Sequence, residues 1–478
     1  MSFKTFIKLY SVRILSVIFW LILSISSFQG WRLLASSLKP EDQQIWLSHN
    51  AASLLEGSWI LFAVAVVGLS LLYIYELKNG KQERLSHVLL WIALLGLAAI
   101  FIYPLGSLDH FAYVAYSRLH AHYGLNPYYY TVSSISDYLN DPFLKNMWWI
   151  NVSSVYGPLW TWISFALYRM SSASGLIPLI FIFKLIGLFM HLLITIVVYH
   201  LAEVISAGRG TRAALLYGMN PLAIFEFIVN AHNDGLAVLL LLVSLILLVK
   251  KRYLKGFLVA GMSAACKLTV GIAILFKFWR TAKEKGIWHA RLCTIVAILL
   301  IALLYLTLFS GEWEGIINAL RNPLSGFISN SIVTIPHTFG LDQLEMPVRN
   351  IGLIIFGFLY IFLLRKSQTV NTESFLILVG LGFMAYYLFG AYVVHRWYYL
   401  WPLAIMAAVP DSLWTRVIIG QTLLMLISYN LILVFGEKNE VNAITYMLNW
   451  LPLIHLWMSN KNDHGFWEFN GSSLKNNT

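Results

Sequence analysis

The chain has 478 residues, of which 59% are hydrophobic and only 12% are charged, and its apolar residues form runs approaching the roughly 20 helical residues needed to cross a bilayer. The formal net charge of +11 lies in short Lys and Arg clusters beside those runs, as cytoplasmic loops of membrane proteins require, so it does not indicate nucleic-acid binding. The two cysteines, Cys266 and Cys293, provide neither a disulfide framework nor a thiolate metal cluster. The composition therefore predicts an all-α, polytopic membrane protein.

The first three apolar runs predict spans that alternate in direction across the membrane. They cover residues 11–28, 58–75 and 85–104. Because Lys and Arg mark the cytoplasmic side, the N-terminus and the loop at 76–84 are expected inside the cell, and residues 105–174 outside it. We expect this large first outer loop to carry juxtamembrane helices.

Three further runs, at residues 175–200, 213–229 and 236–249, continue the alternation. The turn between the last two contains His232, Asn233 and Asp234. It is therefore predicted on the same outer face as the first large loop.

The run at residues 256–279 has basic residues on both flanks and Lys267 in its middle. A single straight span would contradict the charge rule and would hold Lys267 near the bilayer centre, at a cost of about 2.5–3.5 kcal/mol. Two half-depth helices joined at residues 266–269 remove both difficulties, provided that protein or a water-filled cavity lines the break. This hairpin would bring Lys267 toward the outer face.

The remaining runs predict a second outer loop at residues 311–345 and a polar C-terminal tail at 459–478, which we expect to be cytoplasmic and disordered. About 13–14 spans, including half-helices, then form a single membrane domain over residues 1–458. The runs are residues 290–309, 347–364, 375–394, 400–409, 417–435 and 441–458.

Four distant segments with polar side chains are thereby predicted on one outer face. Each has a simpler explanation when taken alone: Asp109 could cap a helix, His232 to Asp234 could be a solvated turn, and Arg396 could be a cation that reaches the membrane interface. Lys267 fits such an explanation least, because a cation in so apolar a stretch needs a partner. The segments are Asp109 with His110, His232 to Asp234, Lys267, and His395 with Arg396.

The chemistry of these side chains suits transfer of a sugar from a lipid phosphate. Lys267, Arg396 and His395 are expected to bind the donor phosphate, since Arg presents a planar fork and Lys a point charge to such an anion. A sugar phosphate carries a good leaving group, so one base is sufficient. We predict that Asp109 accepts the proton of the acceptor hydroxyl, with inversion at the anomeric carbon.

With these motifs the chain resembles the GT-C superfamily of polyprenyl-phosphate-sugar-dependent glycosyltransferases, particularly its mannosyltransferase branches. The resemblance rests on Asp109 at the start of the first outer loop, on GLNPY at 124–128, on YGPL at 156–159, on Asn-Pro at 220–221 followed by HND at 232–234, and on KLT at 267–269. It implies that Asp109 is the catalytic base and that transfer occurs on the outer face. The expected substrate-binding residues are His110, Asn126, Tyr128, Tyr156, His232, Asn233 and Asp234.

One departure from the family pattern concerns metal. Many members have paired acids at the first site, whereas here Asp109 stands between Leu108 and His110. We therefore predict an enzyme that needs neither a metal nor another cofactor.

The sequence thus predicts a glycosyltransferase that moves a hexose, with mannose expected, from a polyprenyl-phosphate-linked donor to a glycolipid or glycan acceptor. Its other partners are membrane lipids. The expected location is a bacterial plasma membrane, with both termini cytoplasmic and the active site extracytoplasmic. The alternative is a transporter or flippase of a lipid-linked saccharide, in which broken helices and buried charges also occur.

Overall fold

The computed structural model describes residues 3–35, 59–80, 83–307, 330–435 and 438–459. Within these ranges the regular structure is helical throughout. The α-helices are α1 (Phe3–Ser26), α2 (Phe28–Ala35), α3 (Trp59–Asn79), α4 (Leu85–Ala99), α5 (Asp109–Tyr123), α6 (Pro158–Ser171), α7 (Leu176–Ile205), α8 (Gly210–Gly218), α9 (Pro221–Ile224), α10 (Asp234–Val249), α11 (Tyr253–Ala264), α12 (Gly271–Lys285), α13 (Ile287–Leu306), α14 (Thr334–Thr338), α15 (Glu345–Ser367), α16 (Thr372–Ala385), α17 (Leu400–Met406), α18 (Leu413–Phe435), α19 (Asn439–Leu448) and α20 (Leu451–Ser459).

Seven helices in the described ranges are long and apolar enough to cross a membrane, or eight if one bent pair is counted as a span. The predicted fold class, a polytopic helical membrane protein, is confirmed. The larger count of 13–14 included half-helices and stays a prediction. The seven segments are Tyr10–Arg32, Ile60–Asn79, Leu176–Ile205, Ile287–Leu306, Asp342–Ser367, Thr372–Gly390 and Leu413–Ile432.

The bent pair consists of α8 and the helical segment Pro221–Val229, which meet at 57°. Pro221 has no N–H with which to continue a preceding helix, so the chain stops and begins again there. The Asn220 side chain caps the new start by accepting hydrogen bonds from the N–H groups of Leu222 and Ala223. This second half ends in a π-helix at Phe225–Val229, which leads directly into the turn that contains His232.

The segment from α11 to α12 is a helical hairpin, as the charge pattern predicts. At its open end, the Tyr253 hydroxyl donates to the Glu284 carboxylate at 2.6 Å, and the Lys277 ammonium donates to the Gly256 carbonyl oxygen at 2.7 Å. A single straight helix would hold residues 253 and 284 far apart, since each residue adds 1.5 Å. Lys267 therefore lies at the tip of the hairpin.

The predicted span at 441–458 is wrong in detail, because the structure divides this segment into α19 and α20. Pro452 occupies the first turn of α20, where its missing N–H has no helical partner to lose. Part of the predicted second outer loop, residues 311–329, and most of the predicted tail, residues 460–478, lie outside the described residues.

The segment predicted as the first outer loop, residues 105–174, carries two helices, α5 and α6. The Arg118 side chain of α5 forms an ion pair with Asp141 at 2.9 Å. The same carboxylate accepts hydrogen bonds from the Tyr123 hydroxyl and from the backbone N–H groups of Phe143 and Leu144. This loop is therefore held by internal contacts and presents α5 in a defined orientation.

Candidate active site

Asp109 and His232 form a close polar pair at one end of the helical bundle. Asp109 is the first residue of α5, and His232 lies in the turn before α10. His232 Nδ1 lies 3.1 Å from Asp109 Oδ2, and the imidazole is fully buried while 13% of the Asp109 side chain is exposed. Asp109 can therefore contact a substrate, and His232 orients the Asp109 carboxylate.

The two groups set each other's ionisation. Burial raises the pKa of the Asp109 carboxyl, but the His232 hydrogen bond and the charges of His232 and Lys267 outweigh burial and lower that pKa to about 2. Burial lowers the pKa of His232, but its contacts with the Asp109 and Glu226 carboxylates raise that pKa to about 9. At neutral pH the pair is a carboxylate beside an imidazolium, and the carboxylate is the form that can accept a proton.

A second contact ties α5 to the same turn. The Tyr113 hydroxyl accepts a hydrogen bond from the Asn233 backbone N–H at 3.0 Å and lies 3.3 Å from the Asn233 side-chain oxygen. Tyr113 is one helical turn after Asp109, so both residues face the turn. Asn233 is buried, and its contacts fix the turn at the site.

His395 joins the site through a stack of aromatic rings. The Trp397 ring lies between the two imidazoles, with its centroid 3.7 Å from that of His232 and 4.3 Å from that of His395. Burial lowers the pKa of His395 to about 3, and the charges of Lys267 and His232 act in the same direction, against the raising effect of Asp109. His395 is therefore a neutral donor or acceptor at pH 7, in contrast to His232.

Lys267 has the partner that its apolar surroundings require. Its ammonium donates to both oxygens of Asp234, at 2.8 and 2.7 Å, and lies 4.6 Å from the centre of the Tyr398 ring. Asp234 is fully buried and also accepts from Trp401 Nε1 at 2.8 Å. Since 23% of the Lys267 side chain is exposed and an ammonium has three donors, Lys267 can still bind an anion.

The Tyr-Gly-Pro-Leu motif docks on the tip of the hairpin. The backbone N–H groups of Gly157 and Leu159 donate to the carbonyl oxygens of Cys266 and Ala265, at 3.2 and 3.1 Å. These carbonyls end α11 and would otherwise lack a helical partner. A Cβ atom at position 157 would lie 2.2 Å from the Ala265 oxygen, so only glycine permits this approach.

Tyr156, in the same motif, faces Asp109. Its ring meets the Tyr113 ring edge-on at a centroid distance of 4.7 Å. Burial, followed by the nearby Asp109 carboxylate, raises the pKa of the Tyr156 hydroxyl. Tyr156 is thus placed where it can contact a substrate held by Asp109.

Comparison with known proteins identifies the family of this chain. A family model described as "Alpha-(1->6)-mannopyranosyltransferase, N-terminal domain" matches residues 15–283, more than half of the chain. This chain belongs to that family. A second model, described as "MptB C-terminal domain", matches residues 329–438, and the predicted resemblance to GT-C mannosyltransferases is confirmed.

A curated relative is more distant. The chain is 27% identical over 132 residues to "Alpha-(1->6)-mannopyranosyltransferase A" of Corynebacterium glutamicum. This similarity covers 27% of the present chain and 26% of the relative, so the chain matches about a quarter of the relative's length.

Arg396 and its neighbour His395 contact different parts of the protein. Its guanidinium donates through Nε to the Ser428 hydroxyl of α18 at 2.8 Å and through Nη2 to Thr445 of α19 at 3.4 Å. It also lies 5.0 Å from the centre of the Tyr429 ring. The side chain is buried against these helices, which favours a packing role, and its predicted phosphate contact stays a prediction.

His110, the residue after Asp109 in α5, is enclosed within the protein. It is fully buried, and neither ring nitrogen has a hydrogen-bond partner among the described residues. Burial, together with the charge of Lys184, lowers the pKa of His110 well below its usual value. This position favours a neutral packing residue, and its predicted contact with substrate stays a prediction.

Asn126 and Tyr128 shape the loop. The Asn126 side-chain oxygen accepts from the Tyr128 backbone N–H at 3.0 Å, and the Tyr128 hydroxyl donates to the Tyr156 carbonyl oxygen at 2.6 Å. Both residues therefore support Tyr156, and their predicted contact with substrate stays a prediction.

Glu226 was missed by the sequence reasoning. It is fully buried in the π-helix, and its Oε2 lies 3.3 Å from His232 Nε2. A lone acid within the apolar run at 213–229 is costly in a membrane protein and marks a functional candidate. That signal could have identified it.

Among the described residues, no group of three or more His, Cys, Asp and Glu side chains is arranged to hold a metal ion. Metal independence nevertheless stays a prediction.

Proposed function

We propose that this protein is an inverting mannosyltransferase that transfers mannose from a polyprenyl-phosphate donor to a hydroxyl of a glycolipid or glycan acceptor. The observation that carries the proposal is the polar cluster in which the partly exposed Asp109 carboxylate lies within electrostatic reach of Lys267 and His395. These groups come from three distant segments of a helical membrane protein, and the family match is to mannosyltransferases.

Asp109 acts as the base. As the acceptor oxygen attacks the anomeric carbon, its hydroxyl proton becomes strongly acidic and passes to the Asp109 carboxylate. A carboxylate with a low pKa is sufficient for this late transfer. His232 keeps the carboxylate ionised before the reaction by its hydrogen bond and charge.

Lys267 and His395 receive the leaving group. The bond between the anomeric carbon and the phosphate oxygen breaks with its electron pair remaining on the phosphate. Lys267 stabilises this charge through the N–H that Asp234 does not engage, and neutral His395 donates one hydrogen bond. Attack opposite to the departing phosphate inverts the anomeric configuration.

The charge distribution supports an extracytoplasmic site. The basic residues Lys78, Lys81 and Arg84 come just before α4 in the sequence, and Arg13 is held at the same end by ion pairs with Glu76 and Glu83. Asp109 follows the opposite end of the same helix. Because basic clusters favour the cytoplasm, we place Arg13 inside and Asp109 outside the membrane.

The donor is tested with the purified protein in liposomes that contain a cell-envelope lipid extract. Polyprenyl-phosphate mannose carrying a radiolabelled sugar is supplied in one reaction and a labelled nucleotide mannose in another. We expect label to enter a new glycosidic product only from the lipid donor, with the opposite anomeric configuration. Transfer only from the nucleotide donor would refute the proposal.

The base is tested with Asp109→Asn, and Asp137→Asn serves as the matched control because Asp137 is an exposed acid in the same loop. We expect the first variant to lose transfer by at least about 1,000-fold, within the range for a lost general base combined with electrostatic stabilisation. The control should retain full activity. Movement of the labelled lipid across the bilayer without a new linkage would favour the flippase alternative.

A further inference from the structure

Glu226 is the centre of a buried polar network behind Asp109. Its Oε1 accepts a hydrogen bond from the Tyr429 hydroxyl at 2.6 Å, and its Oε2 accepts one from the Asn230 side-chain amide at 2.7 Å. Its Oε2 also lies 3.3 Å from His232 Nε2, and its backbone carbonyl oxygen accepts from the His232 N–H at 3.1 Å. The carboxylate is fully buried, so each contact is formed away from water.

The same network reaches the loop that precedes Asp109. The Asn230 side-chain oxygen accepts from the Gly106 backbone N–H at 3.2 Å. A Cβ atom at position 106 would lie 2.4 Å from the Asn230 amide nitrogen and 3.0 Å from the Tyr429 ring. The network therefore packs directly against the backbone that leads into Asp109.

We propose that Glu226 is a positioning residue for sugar transfer, which holds His232 in its protonated form and thereby keeps the Asp109 carboxylate oriented toward the acceptor. This inference rests on the proposed function. It assigns Glu226 no contact with substrate, because the side chain is fully buried behind His232.

The physical reason is the position of His232 between two carboxylates. An imidazole in a fully buried site loses its proton readily, because burial disfavours the charged form. Asp109 faces Nδ1 at 3.1 Å and Glu226 faces Nε2 at 3.3 Å, so a positive charge on the ring is favoured from both sides. With Asp109 alone, the proton would be held less strongly.

Other titratable groups around His232 oppose this charge or act from farther away. His395 lies beyond the Trp397 ring, Lys267 is held by Asp234, and His110 adjoins Asp109. Those that carry positive charge disfavour a protonated His232. Asp109 and Glu226 are therefore the two groups that balance them.

The test compares the pH dependence of transfer by the full-length protein and by Glu226→Gln, in liposomes with the labelled lipid donor. Wild-type activity should be constant from pH 6 to 8. In the variant, the protonated fraction of His232 should fall about tenfold per pH unit above its new, lower pKa. We expect kcat at pH 8 to lie at least about fivefold below that at pH 6, with the donor KM unchanged.

A double variant tests whether Glu226 acts through His232. His232→Gln combined with Glu226→Gln should lose no more activity than His232→Gln alone, because the second change then has no imidazolium to affect. Additive losses, or a loss in Glu226→Gln that is equal at every pH, would show a merely structural role and overturn the inference.

Removal of a buried charge can also unfold the protein. If Glu226→Gln does not accumulate in folded form, Glu226→Asp is measured instead, since it keeps the charge but withdraws it from His232. A smaller decline of kcat between pH 6 and 8 is expected, and a constant kcat overturns the inference. The wild-type assay separates the two proposals: absence of transfer refutes the function, whereas normal wild-type transfer with a constant variant profile refutes only the role of Glu226.

Discussion

Replacement of Gly157 by alanine should separate the Tyr-Gly-Pro-Leu loop from the hairpin that carries Lys267. Gly157 has φ −69°, which alanine also adopts, so the change introduces no backbone strain. The new Cβ atom would lie 2.2 Å from the Ala265 carbonyl oxygen and 2.7 Å from that of Cys266. Because Cβ atoms do not approach other heavy atoms closer than 3.0 Å, the loop must withdraw from the hairpin.

The expected magnitude follows from two hydrogen bonds. The Gly157 and Leu159 N–H groups lie 3.2 and 3.1 Å from their carbonyl acceptors, so a further separation of about 1 Å breaks both bonds. Each broken bond leaves a buried carbonyl group unsatisfied, which costs about 1–3 kcal/mol. For two such groups we expect a loss of about 2–6 kcal/mol in local stability.

The functional effect should exceed the stability effect, because Lys267 directly follows these carbonyls. A misplacement of about 1 Å at a reacting group can reduce the rate by about 100-fold. Thermal unfolding in detergent measures the first effect, and kcat for transfer from the lipid donor measures the second.

Gly271→Ala is the matched control. Gly271 lies beyond the hairpin tip with helical φ and ψ of −47° and −32°, and a Cβ atom there would meet nothing within 4 Å. This variant should be unchanged, or more stable by about 0.4–1 kcal/mol. If Gly157→Ala and Gly271→Ala have equal activity and stability, the docking of the loop on the hairpin does not position Lys267.

Three further outcomes follow from the contacts at the site. His232→Gln should lower kcat at every pH, because the charged hydrogen bond that orients Asp109 is lost, and it should raise the pKa of Asp109 from about 2, because the opposing effect of burial remains. Its pH–rate profile should then fall further below about pH 6, where the wild type remains constant. Asp234→Asn should release Lys267 and raise the donor KM by about tenfold, with a smaller change in kcat. The reason is that an ammonium already held by Asp234 loses less conformational freedom when it binds the donor. An unchanged KM would contradict the binding of the donor phosphate by Lys267. Arg396→Gln should lower the unfolding temperature through its lost contacts with Ser428 and Thr445, while the donor KM of the folded fraction stays within about twofold; a large rise in KM would restore Arg396 to the phosphate site.

Much of the helical arrangement was predictable from local pattern. Apolar runs fix where helices can cross a membrane, and basic clusters predict their order of direction. The hairpin with Lys267 at its tip was predictable as well. A single span would place basic residues on both sides of the membrane and would hold Lys267 near the bilayer centre. The split between α19 and α20 could have been predicted from Pro452, which cannot continue a preceding helix.

The direction of individual side chains was less predictable. His395 and Arg396 are adjacent in sequence, yet His395 stacks on Trp397 and Arg396 packs against α18 and α19. Successive residues point in different directions from the backbone, so proximity in sequence does not establish a shared site.

The amino-acid sequence by itself determined the membrane class, the positions of most helices and the meeting of four polar segments at one end, since each follows from hydrophobicity and charge along the chain. Tertiary structure alone decided the pairings: Asp109 with His232, Lys267 with Asp234, and Glu226 behind His232. These partners lie up to 123 residues apart. Ion pairing and hydrogen bonding act over a few ångströms, so only the packed helices determine which of the available charges come within reach.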